Sequence, residues 1–223
     1  MAETGLKRQD AIAPDGGEMI RPVVVKLGGS VVRSPYLQDW LNAVATAARP
    51  IVVVPGGGAL ADEVRDCQTS LGFDDLAAHR MALLAMDQLA WAVAGLRPDF
   101  EVGDSEQALL QSLGQNRIAV WAPFAHIGKR SDIAPSWAIT SDSLALWLAG
   151  QLGAECCYMI KQVPRTGSAV SAAMLAADGV VDEAFPEMLG GTAVPAYLLG
   201  PEDRAVFGAA LARSATCGTR IAA

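Results

Sequence analysis

Two short β-branched runs stand out early in the chain, Val23-Val24-Val25-Lys26-Leu27 and Ile51-Val52-Val53-Val54, and each runs into glycine: Gly28-Gly29-Ser30 after the first, Pro55-Gly56-Gly57-Gly58 after the second. Continuous apolar runs closed by glycine predict buried parallel strands that end in tight bends. The spacing of Leu37, Leu41 and Val44 predicts a helix over 36–48 between them, with Ser34 as N-cap and Pro35 in its first turn, which makes a βαβ unit. After the second bend, Leu60, Val64, Cys67 and Leu71 recur at helical spacing until Gly72. Asp74 or Asp75 then caps a longer helix that reaches about Gly95, with a stripe of Leu76, Leu83, Met86, Ala90 and Val93.

Further strands are predicted over 117–121, 156–160 and 196–199, and a helix over 143–152. Pro201 and Glu202 suit the first turn of another helix, whose packed face carries Val206, Phe207, Ala210 and Leu211. Alternation of helix and strand predicts an α/β fold, a three-layer αβα sandwich around a mostly parallel sheet. The chain shows no internal repeat and no heptad pattern.

Composition narrows the function classes. With 223 residues, 52% of them apolar, the chain can bury one substantial core, so 22–223 is expected to form a single domain. Residues 1–21 mix charges, Gly and Pro without periodicity and read as a flexible tail. A net charge of -7 argues against a general nucleic-acid binder. No apolar run approaches the roughly 18 residues that span a bilayer, and the start of the chain lacks a secretory h-region, so the expected address is the cytoplasm. Cys67, Cys156, Cys157 and Cys217 have no metal-ligand spacing and read as reduced structural thiols.

A bend at the carboxyl end of a parallel strand lies where open α/β sheets bind ligands, and glycine lets backbone N–H groups close on phosphate oxygens. Neither bend has the Gly-x-x-x-x-Gly-Lys-Ser/Thr spacing of a P-loop or a Gly-x-Gly-x-x-Gly dinucleotide turn. One such bend alone is better explained by a tight turn that needs positive φ; two matched bends point to a phosphate chain held between them. Lys26 is a cation in an apolar strand, for which a bound anion is a natural partner.

Lys26-Leu27-Gly28-Gly29-Ser30, Pro55-Gly56-Gly57-Gly58 and Thr140-Ser141-Asp142-Ser143 at the head of an apolar helix, in that order, resemble the three motifs of the amino acid kinase superfamily over residues 22–213. A narrower likeness is carried by Ala78-His79-Arg80-Met81 with Met86-Asp87, by Ser131-Asp132-Ile133-Ala134, by Ser136-Trp137-Ala138-Ile139-Thr140-Ser141-Asp142-Ser143, and by Gly200-Pro201-Glu202-Asp203-Arg204. These stretches resemble the kinases of methanofuran biosynthesis that convert (5-(aminomethyl)furan-3-yl)methyl phosphate to its diphosphate.

The resemblance implies the carbamate kinase-like fold, with the acceptor in the N-terminal half and the nucleotide in the C-terminal half. It implies ATP and Mg²⁺, a small-molecule phosphate acceptor, no nucleic-acid or membrane partner, and a homodimer or higher homo-oligomer. Its implied catalytic residues are Lys26, Asp142 and Lys161. Lys26, Gly28, Gly29, Ser30, Ser141 and Lys161 fall to the nucleotide, and Gly56, Gly57, Gly58, Arg80, Trp137 and Thr140 to the acceptor, with no protein metal site. Plain helix capping also accounts for Asp142, a solvated helix face for His79 and Arg80, and a strand-end surface position for Lys161.

The loop over 123–140 is too long to be a mere connection and is placed as an acceptor-side lid, with His126 left out of the catalytic set. One departure concerns the stretch after 156–160, where many relatives carry Thr-Asp-Val-Asp-Gly. This chain reads Ile160-Lys161-Gln162-Val163-Pro164-Arg165-Thr166-Gly167, without the acidic pair. The alternatives to a furan-phosphate kinase are another activity of the superfamily, on a carboxylate, carbamate, uridylate or isopentenyl phosphate, or nucleotide binding without turnover.

Overall fold

The computed structural model describes residues 21–164 and 167–223. The tail expected over 1–21 lies outside that description except for Arg21, and so do Arg165 and Thr166. β1 (Val23–Leu27) ends at Gly28 and is followed by one helical turn, α1 (Gly29–Val32). α2 (Leu37–Ala45) then crosses to β2 (Ile51–Pro55). Ser34 does not cap α2; its hydroxyl accepts from the Tyr36 amide in the turn before it. Next come α3 (Gly58–Leu71) and α4 (Asp75–Leu96), separated by Gly72 in the left-handed region at φ 75 and by Asp74, whose carboxylate accepts from the Ala77 amide.

β3 (Phe100–Gly103), α5 (Glu106–Gly114), β4 (Ile118–Trp121) and α6 (Pro123–Ile127) complete one side of the sheet. On the other side follow α7 (Ser141–Gln151), β5 (Cys156–Ile160), β6 (Ala169–Ser171), α8 (Ala172–Ala177) and α9 (Phe185–Gly190). The order continues with β7 (Ala196–Leu199), a 3₁₀ turn over Pro201–Asp203, α10 (Arg204–Ala212) and β8 (Thr219–Ala222).

Among the described residues eight strands form one sheet in the order β3-β4-β2-β1-β5-β7-β8-β6, parallel except where β8 runs against β7. β1 lies at its centre, with Leu27 opposite Pro55 of β2 on one side and Ile160 of β5 on the other. Both faces are covered by helices, as the alternation predicts, and each face carries its own apolar cluster. Val23, Val25 and Leu27 pack with Trp40 and Leu41 of α2 and with Phe207 and Leu211 of α10. Val24 points the other way, into the cluster that includes Leu144 and Leu148 of α7.

Period-two alternation places Lys26 on the same face as Val24, toward α7. It does the same for Lys161, which continues the parity of Cys157 and Met159. The two cations therefore meet one helix.

Some helix faces differ from the sequence expectation. In α3 only Val64 is buried, while Leu60 and Leu71 are exposed, because α3 rests against α4 and leaves its other sides to solvent. Leu76 of α4 and Val206 of α10 are exposed as well. All four cysteines are free thiols, with Cys156 and Cys157 buried and burial raising the Cys156 thiol to about 11.

Candidate active site

The carboxyl ends of β2, β1 and β5 lie side by side, so the bends that follow them open onto one cavity of about 380 Å³. The Gly56 amide donates to the Leu27 carbonyl at 2.9 Å and the Gly28 amide to the Ile160 carbonyl at 3.0 Å, which locks the three strand ends together. The two glycine bends touch backbone to backbone: a Cβ built on Gly29 would lie 2.9 Å from Gly58 Cα. Gly58 itself has φ +52, where a side chain would be strained. Glycine is thus required both for contact between the bends and for the turn into α3.

At the floor of the cavity Asp142 bridges both lysines. Its Oδ1 pairs with the Lys26 ammonium and its Oδ2 with Lys161 Nζ at 2.7 Å. Lys26 and Asp142 are only 2% and 5% exposed. Asp142 lies in the first turn of α7 but caps nothing, so the capping explanation for it is set aside by the direction of its carboxylate. Burial pushes the Asp142 carboxyl up, yet the two ammonium groups outweigh burial and hold it below the ordinary carboxylate range. Burial, followed by repulsion from Lys26, draws Lys161 down to about 8 against the pull of Asp142. Two cations facing one anion leave a net positive pocket floor, the charge that a polyphosphate neutralises.

The cavity wall carries Gly29, Ser30, Gly57, Gly58, Trp137, Thr140 and Ser141 together with the three charged residues. Gly28 and Gly56 stand behind it as part of the strand ends, each with backbone close to where its Cβ would be. Arg80 is a correction: it does not line the cavity, and its Nε donates to the Gly128 carbonyl at 3.3 Å, tying α4 to the loop after α6. Its neighbour His79 does line the cavity, with its imidazole held below the usual range by burial and by Arg80.

The outer wall adds Arg33, Asp62 and Arg65, which sequence reasoning did not single out, and Asp75, which it named only as a helix cap. Arg65 lies over the indole of Trp137, its guanidinium carbon 3.9 Å from the ring centroid. Trp137 Nε1 donates to Gln68 Oε1 at 2.7 Å, and Gln68 Nε2 donates to Asp75 at 2.8 Å. Helical spacing of Gly58, Asp62 and Arg65 along α3 was the available signal, once the second bend is taken as the start of a site-facing helix. Part of the stretch after 123 is helical as α6, and its end carries Trp137 to the cavity. Among the described residues, no group of three or more His, Cys, Asp or Glu is placed to hold a metal ion.

The sequence profile of the amino acid kinase family matches residues 21–165. The [5-(aminomethyl)furan-3-yl]methyl phosphate kinase of Methanocaldococcus jannaschii is 33% identical over 133 residues, which cover 56% of this chain and 58% of that protein. The match therefore spans less than two thirds of the relative. Among solved structures, uridylate kinase from Archaeoglobus fulgidus superposes with a TM-score of 0.67 at 19% identity, covering 90% of this chain and 99% of that one. Aspartate kinase from Synechocystis gives 0.65 at 17% identity over 91% of this chain and 40% of the other. At these identities the solved structures establish the fold, an αβα sandwich of the same type. With the family profile spanning most of the described sheet, the chain belongs to the amino acid kinase family.

Proposed function

We propose that this chain is a cytoplasmic kinase that transfers the γ-phosphoryl group of ATP to a small-molecule phosphate monoester, giving a diphosphate. The acceptor is of the class of (5-(aminomethyl)furan-3-yl)methyl phosphate, named by the relative in Methanocaldococcus jannaschii, and the product serves a methanofuran-type cofactor pathway. One observation carries the reading: the buried Lys26–Asp142–Lys161 centre at the floor of a cavity walled by two glycine bends.

An oxygen of the acceptor phosphate forms the new P–O bond while the bond from the γ-phosphorus to the β–γ bridging oxygen breaks, and ADP departs. An acceptor that is anionic at pH 7 needs no general base, in keeping with a floor of two lysines and a carboxylate already paired to both. Lys26 meets the transferring group, and Lys161 the nucleotide phosphates beside Gly29, Ser30 and Ser141, with Gly28 behind them at the strand end. Asp142 holds both ammonium groups in place, which is the positioning and charge neutralisation that phosphoryl transfer demands. The second bend, with Trp137 and Thr140, faces the acceptor, so the two halves of the chain divide the substrates between them. Mg²⁺ neutralises phosphate charge when bound; with the Asp142 carboxylate occupied by lysines, phosphate oxygens and water are its fitting ligands.

The test is a panel of acceptors incubated with ATP and Mg²⁺, with product masses determined. Diphosphate formation from the furan phosphate should exceed that from uridylate, isopentenyl phosphate, carbamate and amino acid carboxylates. A higher rate on any of those replaces the acceptor while keeping the transfer chemistry. Tight ATP binding without ADP release over every acceptor would overturn the kinase reading.

Self-association belongs to the same reading. Met81, Leu84 and Trp91 recur along one side of α4 and are 37%, 41% and 67% exposed, an apolar row that a second copy of the chain would cover. Trp91→Glu is expected to convert the species seen by sedimentation to the single chain. A single-chain parent protein, or an unaltered profile in the variant, removes self-association from the proposal.

A further inference from the structure

Asp182 lies in the connector between α8 and α9, outside every role assigned above. Its carboxylate nevertheless gathers the start of α7. Oδ2 accepts from the Thr140 amide at 2.8 Å, the Thr140 hydroxyl at 2.8 Å and the Ser143 amide at 3.0 Å. Oδ1 accepts from the Ser143 hydroxyl. Thr140 stands at the N-cap position, but its side chain caps nothing in its own helix and turns to Asp182 instead. The amides that a local cap would satisfy are taken by a carboxylate supplied from 42 residues further along the chain.

The connector is itself anchored. Val181 is buried in the cluster beneath α7, and the Ala184 amide donates to the Ala138 carbonyl at 3.0 Å. The segment 181–184 thus grips the chain on both sides of the pocket-lining residues Ile139 to Asp142. Asp142 lies between Thr140 and Ser143, the two residues that Asp182 holds. A carboxylate at a helix N-terminus is favoured by the helix dipole, and bonds to an ionised acceptor are roughly twice as strong as neutral ones. A Ser or Thr cap would fix one turn against itself; Asp182 fixes that turn against the core.

We propose that Asp182 is a positioning residue for phosphoryl transfer: by capping α7 from outside the helix it sets the direction of Asp142, and through Asp142 the placement of the Lys26 and Lys161 ammonium groups. This rests on the reading of the lysine–aspartate centre as the transfer site. The carboxyl is itself pushed up by burial and by Asp142 and drawn back by its hydroxyl and amide donors, so its charge depends on those donors remaining in place.

Two variants test the role. Asp182→Asn keeps the shape and a carbonyl acceptor but loses the charge, and Asp182→Ala removes the cap. In the folded fraction kcat is expected to fall about tenfold for Asn and further for Ala, with KM for ATP and for the acceptor held within about threefold. Lys161, which faces Lys26 and Asp142, should also titrate at lower pH in both variants, followed without substrate by the ¹³Cε shift of labelled lysines. A looser Asp142 holds the Lys161 ammonium less firmly and favours the neutral amine. If Asp182→Ala does not fold, Asp182→Asn decides. A folded Asp182→Asn protein with kcat within about twofold of the parent and an unmoved Lys161 titration overturns the proposal. Should the parent transfer phosphate to no acceptor, the kinase reading fails by itself, and an unmoved Lys161 titration is then sufficient to reject Asp182 as the positioning residue.

Discussion

The floor and the rim of the cavity are built on opposite terms. At the floor, Lys26, Asp142 and Lys161 are withdrawn from water and paired among themselves. At the rim, Arg33, Asp62, Arg65 and Asp75 stand in solvent, and the contacts that organise them are a guanidinium resting on Trp137 and a chain of side-chain bonds through Gln68. A buried charged cluster tolerates little displacement, because each ion depends on its neighbours to offset desolvation. An exposed one can be rearranged at small cost. The floor is therefore suited to chemistry that does not vary, and the rim to choosing which molecule is brought to it.

That contrast is broken most decisively at the floor. Lys26→Ala should lower kcat by about 10² to 10³, with the fold retained by circular dichroism, because the charge serves the transition state more than the core. Retained kcat would place the chemistry elsewhere. The rim should answer differently: Trp137→Ala is expected to raise KM for the acceptor about tenfold, a change of about 1.4 kcal/mol, while leaving KM for ATP nearly unchanged. Equal effects on both substrates would erase the division between floor and rim. The smallest effect concerns pH. Lys161 is charged below its value of about 8 and loses its proton as pH rises through it, so kcat/KM should decline on the alkaline side with a limb near pH 8. Lys161→Arg, whose guanidinium stays charged, should flatten that limb even where the larger group in the buried floor lowers the rate at every pH.

The parts legible in the sequence are those where one element settles its own structure. β1 and β2 announce themselves by unbroken β-branched runs and their glycine stops, and α4 by its cap at Asp74 and its long apolar stripe. β3 was missed because only Phe100 and Gly103 at its ends are buried, leaving an edge strand with no apolar run. α5 is capped by Ser105, whose hydroxyl accepts from the Ala108 amide, a signal readable but too brief to outweigh the polar residues around it. The apolar period of α3 was correct and its burial was not, since periodicity reports a face and not what covers it. Within the site, the local pattern singled out Lys26 alone, with Asp142 and Lys161 supplied by the resemblance to the amino acid kinases. It could not find Asp182, whose partners lie 39 to 42 residues away, nor the turning of Arg80 toward Gly128.

The placement of β8 has a consequence for how the chain acquires its shape. Among the described residues β6 pairs with β8 alone, and 52 residues separate Gly167 from Thr219, whose hydroxyl donates to the Gly167 carbonyl. As the polypeptide emerges from the ribosome, β6 must wait for a neighbour that is translated after every other strand of the sheet. Assembly of this margin is therefore a late, non-local event. Nascent chains interrupted before Thr219 are expected to expose β6 as an unpaired edge and to be the species most in need of a chaperone.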